Sequence, residues 1–173
     1  MYLNRDGGFD VEDVDALPDD GRRHELVDGV IVLSPPPRRI HQRALTTLTT
    51  TRFNTLPGHL EVLVAPFDVD AGPNSQVEPD VLVLPRDDSD PPLLAVEVLS
   101  PSNRGYDPVT KRNLYERIRV PSYWIVDPDE PAATVVELND AGRYVEVARA
   151  SGGASVSGEQ PYPVTFRPVD LVA

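Results

Sequence analysis

The chain has 173 residues, 40% of them apolar and 25% charged, a balance that suits one domain able to bury its own core without covalent staples. It contains no cysteine, which excludes disulfides, thiolate zinc sites and cysteine nucleophiles. Its net charge of −12 argues against holding nucleic acid by bulk electrostatics, so any phosphate contact must come from a local basic surface or from bound cations.

Acids crowd the stretch from Asp10 to Asp20, where Val11–Leu17 reads as a short helix. Residues 24–33 follow as two apolar runs around Asp28-Gly29, a hairpin signal because that turn needs positive φ. Ser34 and three prolines end the hairpin. Residues 40–56 read as a helix with an apolar stripe of Ile40, Ala44, Leu45, Leu48 and Leu56, weakened by its threonines. Leu60–Val69 reads as a strand, then a polar loop leads to a short strand at Asp80–Leu84. Leu93–Leu99 is the next strand, reached through Pro85–Pro92. Asp107–Arg119 reads as a helix with Asp107 as N-cap and Pro108 at its first position. Tyr123–Val126 is a strand, Thr134–Leu138 and Arg143–Ala148 form a hairpin, and a last short strand lies near Val164–Phe166. The expectation is a single mixed domain, α+β or α/β, with its core at about 22–148.

One strand carries an unusual residue. Glu97 interrupts the apolar run from Leu93 to Leu99, a pattern of strands buried on both faces, where a carboxylate needs a partner or a cation. If Leu84 pairs with Leu93, Asp80 falls opposite Glu97 at about 5 Å, and two like charges that close call for a proton or a bridging cation. Oxygen donors without cysteine favour Mg²⁺ or Mn²⁺.

Lys111 is the chain's single lysine among fifteen arginines, which suggests a position where Arg will not serve. It shares a helix face with Leu114, Tyr115 and Ile118, the stripe expected to pack on the sheet. A lone inward amine near two carboxylates can orient a water or neutralise charge on a phosphoryl transition state.

The ordered set of Pro79-Asp80, Glu97-Val98-Leu99 and Lys111 resembles the PD-(D/E)XK phosphodiesterase superfamily and, within it, the Uma-two-type endonucleases. Further matching stretches are 24–29, His41-Gln42, 96–102, Leu114-Tyr115 and 120–128, so the likeness spans most of the chain. The superfamily's lysine would stand two residues after Glu97, where this chain has Leu99; the resemblance places it at Lys111 in the next helix. It implies a restriction-endonuclease-like mixed sheet flanked by helices. It also implies that Asp80 and Glu97 hold the metal with the Val98 carbonyl, that Glu25 is an additional acid, and that His41 and Gln42 contact a water or a phosphate. Arg38, Arg39 and Arg43 could form a phosphate-facing patch, or simply be solvated. The activity implied is Mg²⁺-dependent cleavage of DNA, with homodimerisation as one way to cut both strands.

Blander readings stand beside these. Asp80 can simply open a strand, Glu97 can sit at an edge, Lys111 can snorkel and Glu25 can face solvent. Tyr115, Tyr123 and Trp124 read as core, and Ser100 and Ser102 as turn residues. A second functional reading is a non-catalytic nuclease-fold module that binds nucleic acid or a protein; a third is hydrolysis of another phosphoester. No leader-like segment opens the sequence and no apolar run approaches the ~20 residues that span a bilayer, so a cytoplasmic protein without a membrane partner is expected.

Overall fold

Residues 1–18, 20–53, 56–87, 91–101 and 107–173 are described by a computed structural model. The chain opens with β1 (Tyr2–Leu3) and α1 (Val11–Asp15), the latter closed by a capping box between Asp10 and Asp13. The hairpin of β2 (Arg23–Val27) and β3 (Val30–Ser34) turns at Asp28 and Gly29, both at positive φ (46° and 79°), as the Asp-Gly signal requires. Helix α2 (Arg39–Phe53) persists despite its threonines: Thr49 and Thr51 donate their hydroxyls to the carbonyls four residues back.

Next come β4 (Leu60–Val64), β5 (Val69–Asp70), β6 (Gln76–Val77), β7 (Val81–Pro85) and β8 (Leu94–Val98). Then follow α3 (Asp107–Arg117), β9 (Ser122–Asp127), β10 (Ala132–Leu138), β11 (Tyr144–Ser151), β12 (Val156–Gly158), β13 (Val164–Phe166) and a 3₁₀ turn at Pro168–Leu171. A six-stranded sheet runs β11-β10-β9-β8-β7-β4, antiparallel except for the β8–β9 pair, whose crossover carries α3. A five-stranded sheet runs β1-β3-β2-β6-β5, and β12 pairs with β13.

Side-chain alternation sorts the large sheet into two faces. One face, with Val81, Val83, Val96, Val98 and Trp124, packs on Ala44, Leu45 and Leu48 of α2 and on the β12–β13 hairpin. There Phe166 stacks on Trp124 at 5.4 Å, and Gly158 lies so close that a Cβ would come within 2.5 Å of the indole. The other face, with Leu82, Leu84, Ala95 and Tyr123, packs on Leu114 and Tyr115 of α3 and on Val27, Val69 and Val77 of the small sheet. Asp80 and Glu97 share the parity of Leu82 and Ala95, so the sheet delivers both carboxylates to this second face.

Several expectations are corrected. The strand expected over Leu60–Val69 ends at Val64, because Pro66 has no N–H for the ladder; Val69 and Asp70 belong to the other sheet. The core continues past residue 148, since Val156, Tyr162, Val164, Phe166 and Leu171 are buried in it. The helix expected to reach residue 56 is described to Phe53, and Asn54 and Thr55 lie outside the described residues. So do Ser102 and the side chain of Asp107, with the turn and capping roles expected of them. The very short strands β1, β5, β6 and β12 have too few residues to show a period. No helix among the described residues is long and apolar enough to cross a membrane.

Candidate active site

The register of β7 and β8 pairs Val81 with Val96 and Leu82 with Ala95. Carried one step further, it sets Asp80, the residue before β7, opposite Glu97. Both are buried, as are Glu25 on β2, Lys111 on α3 and His41 on α2. Three carboxylates out of water demand compensation, because burial of an unpaired charge is costly. The structure supplies it in two groups.

The inner group is built on Lys111, which is 1% exposed. Its Nζ lies 2.8 Å from Glu25 Oε1 and 2.9 Å from Glu97 Oε1. Tyr115, one helical turn on, donates its hydroxyl to the same Glu97 oxygen at 3.0 Å. Burial, followed by the charge of Glu97, pushes the Tyr115 phenol well above its usual range, so it remains a donor. The Glu78 N–H adds a 2.8 Å bond to Glu25 Oε1. Glu25 Oε2, also buried, has no hydrogen-bond partner among the described residues.

The outer group is built on Asp80. Its Oδ1 accepts from Arg23 Nη1 at 3.0 Å, and its Oδ2 accepts from the Val98 N–H at 2.7 Å and faces His41 Nε2 at 3.3 Å. Burial works against the ionised form, but the His41 hydrogen bond and the Arg23 charge outweigh it, and the Asp80 carboxyl is lowered to about 2. Arg23 also donates to the Glu78 carbonyl at 3.0 Å and stands 3.9 Å from Glu25 Oε2. Burial disfavours its charge, yet Glu25, Asp80, Glu97 and Glu78 hold the guanidinium more firmly protonated than usual. Burial, with Glu25 and other acids nearby, raises Glu78 against the pull of Arg23.

A cavity of about 870 Å³ opens on this outer group, with Asp80, Arg23, His41, Gln42, Arg38 and Glu78 in its wall. Glu25, Glu97 and Lys111 are not in that wall; they sit behind Asp80. Of the sequence-derived set, Asp80, His41, Gln42 and Arg38 meet at the cavity, and Glu25, Glu97 and Lys111 pack together behind it. Arg38 reaches the cavity while paired to Asp129, but Arg43 does not: its guanidinium bonds the Val172 carbonyl at 3.1 Å near the C-terminus. Arg38 precedes α2, whereas Arg43 stands within its second turn, so the two leave the chain in different directions.

Sequence reasoning missed Arg23 and the hydroxyl of Tyr115. Both had signals. Arg23 precedes Glu25 by two residues on a strand, so it shares that face. Tyr115 follows Lys111 by four on a helix, so its ring was legible as a neighbour of the amine while its hydrogen bond was not.

An oxygen-seeking divalent ion fits the chemistry of this donor set: carboxylates only, buried, with a Glu25 oxygen lacking a hydrogen-bond partner. Magnesium is commonly held by one or two carboxylates plus substrate phosphate and water. Asp80 and Glu97 could supply these, with Val98 and Glu25 beside them. Among the described residues, no three His, Asp or Glu side chains already form a metal-binding group. The cations Lys111 and Arg23 stand against the acids instead.

A mixed sheet with a buried pair of acids at the ends of adjacent strands, a lysine from the crossover helix and helices on both sides is a restriction-endonuclease-like fold. The chain belongs to the Uma2 family, described as "Putative restriction endonuclease", which matches residues 11–171. Among solved structures it is similar to a putative nuclease belonging to DUF820 from Anabaena variabilis ATCC 29413. That likeness has a TM-score of 0.72 at 17% identity and covers 95% of this chain and 97% of the other. No curated protein matches the chain.

Proposed function

We propose that this protein is a divalent-metal-dependent endonuclease that hydrolyses DNA phosphodiester bonds. The observation that carries the reading is the convergence of Asp80, Glu97 and Lys111: opposed acids on neighbouring strands, and the chain's single lysine 2.9 Å from one of them. The family description supports the same class.

Asp80 and Glu97 would hold Mg²⁺ or Mn²⁺ with the Val98 carbonyl, and Glu25 would add negative charge behind them. When bound, such an ion supplies Lewis-acid polarisation of the phosphate and a water that loses its proton near neutral pH. The remaining work falls to the chain. Lys111, fixed by two glutamates behind Asp80, would hold Glu97 in place for the ion and add positive charge on the far side of the acids from the phosphate. Tyr115 holds Glu97 in place. His41 and Gln42 line the cavity, where they would contact the phosphate or a water; the His41 Nε2 faces Asp80, and its Nδ1 is buried without a hydrogen-bond partner among the described residues. Arg38 offers a backbone phosphate contact at the cavity. The chain's net charge of −12 makes such local bases and the bound ion the means by which DNA would be held. A pair of copies would place a site on each strand, and the reaction would belong in the cytoplasm.

Incubation of supercoiled plasmid with the protein and Mg²⁺, Mn²⁺ or chelator tests the reading. Nicked or linear DNA is expected only with metal, and Asp80→Asn should lower its formation by about a thousandfold. Metal-independent cleavage, or full activity in Asp80→Asn, would refute it. Parallel assays on RNA and a small phosphodiester separate DNA hydrolysis from other phosphoester chemistry. The acidic balance favours one alternative, a nuclease-fold module that binds without cleaving; binding of DNA by a protein that takes up no metal would select it.

A further inference from the structure

Among the described residues, Arg23 and Lys111 are the arginine and the lysine set against the acid cluster, and they differ in their freedom to leave. Lys111 is sealed at 1% exposure, whereas the Arg23 side chain is 19% exposed and lies in the cavity wall. Arg23 Nη1 sits 3.0 Å from Asp80 Oδ1, and its Nε sits 3.9 Å from Glu25 Oε2, the buried oxygen with no hydrogen-bond partner. It also stands 3.8 Å from Glu78 Oε1. Its guanidinium therefore fills the place at which a cation would neutralise Asp80, and two positive groups cannot share that place without strong repulsion. A swing of the side chain into the cavity would break bonds to Asp80 and the Glu78 carbonyl but would disturb no backbone pairing. The Glu25 and Glu97 carboxylates would remain fixed by Lys111.

Building on the metal-dependent reading above, we infer that Arg23 is an internal counter-cation that holds the acid cluster together before metal enters and must swing into the cavity for a divalent ion to bind. It is a positioning residue, because it acts through Asp80. The arrangement lets the cluster fold without metal, at the expense of metal affinity, since the ion has to displace a charge-assisted hydrogen bond.

The test measures Mn²⁺ binding by electron paramagnetic resonance in the unaltered protein and in Arg23→Gln, with no DNA present. Arg23→Gln should bind Mn²⁺ at least about tenfold more tightly, because the competing charge is gone. It should also melt at a lower temperature without metal and regain part of that loss when Mn²⁺ is added. Equal or weaker Mn²⁺ binding by Arg23→Gln overturns this inference while leaving the metal site standing. Absence of Mn²⁺ binding in both proteins overturns the metal-dependent reading and this inference with it. Should Arg23→Gln fail to fold, nitrogen NMR of the unaltered protein decides. The Arg23 Nε–H signal, assigned by its loss in Arg23→Lys, should shift and exchange faster with water as Mg²⁺ saturates the Val98 amide response. A signal that stays unchanged at saturation refutes the swing.

Discussion

The two halves of the acid cluster use the same chemistry to different ends. In the inner half, Lys111 is held by Glu25 and Glu97, Tyr115 bonds the same Glu97 oxygen, and all four side chains are buried. In the outer half, Asp80 is held by Arg23, His41 and the Val98 N–H, with a cavity on one side. A buried charge pair is expensive to break but contributes little beyond what a well-packed apolar pair would. The inner half therefore makes sense as a rigid frame for charge, and the outer half as the part that exchanges partners. Substitutions should separate the two: inner changes should damage the fold together with the reaction, and outer changes should damage the reaction first.

The largest effect is expected at Lys111. Lys111→Met keeps the volume but leaves two buried glutamates facing each other, at a cost of about 3–5 kcal/mol out of the ~5–15 kcal/mol that holds a typical domain. Urea denaturation measures it, and a loss under ~1 kcal/mol would mean that the inner half is not a frame. Asp80→Asn should be nearly the reverse. Cleavage should fall by about a thousandfold, equivalent to about 4 kcal/mol of barrier, while the protein stays folded at neutral pH. A variant that unfolds without losing specific activity would invert the comparison.

Acid sharpens the same contrast. The folded-state carboxyl of Asp80 is lowered to about 2 from 3.8, so its ionised form stabilises the fold above about pH 4, and that contribution disappears as pH falls toward 2. The shift corresponds to about 2 kcal/mol. Denaturation of the unaltered protein and of Asp80→Asn at pH 5 and pH 2.5 should show a stability difference that shrinks by about 1.5 kcal/mol at the lower pH, because Asp80 is by then only partly protonated in the fold. Parallel pH profiles would show that Asp80 is not the titrating group. Tyr115→Phe, which deletes only the hydroxyl on Glu97, should cost about 1.5–3 kcal/mol in urea without altering DNA affinity, as befits the frame.

The frame and the exchangeable half were not equally legible in the sequence. The β7–β8 register followed from symmetric pairing about the Pro85–Pro92 connection, and the inward face of α3 followed from helical spacing, because period and parity are local properties. The partners of those residues are not local. Arg23 reaches Asp80 across 57 positions of chain, and Lys111 lies between acids from two different sheets. Sequence could show that Glu97 needed a cation, but it could not show that Lys111 meets Glu97 while Arg23 meets Asp80. The departure of Val69 and Asp70 to the small sheet and the C-terminal hairpin under Trp124 were hidden for a related reason: each joins a sheet or face chosen by tertiary packing.

The smallest expected effect concerns the rim of the outer half. Arg38 and Arg43 lie near the start of α2, but Arg38 lines the cavity and Arg43 is turned to the Val172 carbonyl. Arg38 is half exposed and its Asp129 pair is a surface one, so Arg38→Ala should alter stability by less than ~1 kcal/mol. Its effect should appear in binding. With Asp80→Asn to prevent cleavage, fluorescence anisotropy on a short duplex should show that Arg38→Ala weakens affinity a few-fold and reduces the salt dependence by about one counterion, whereas Arg43→Ala leaves both unchanged. If Arg43→Ala weakened DNA binding as much as Arg38→Ala, the DNA path would have to run along α2 toward the C-terminus, and the cavity would lose its place as the entrance to Asp80.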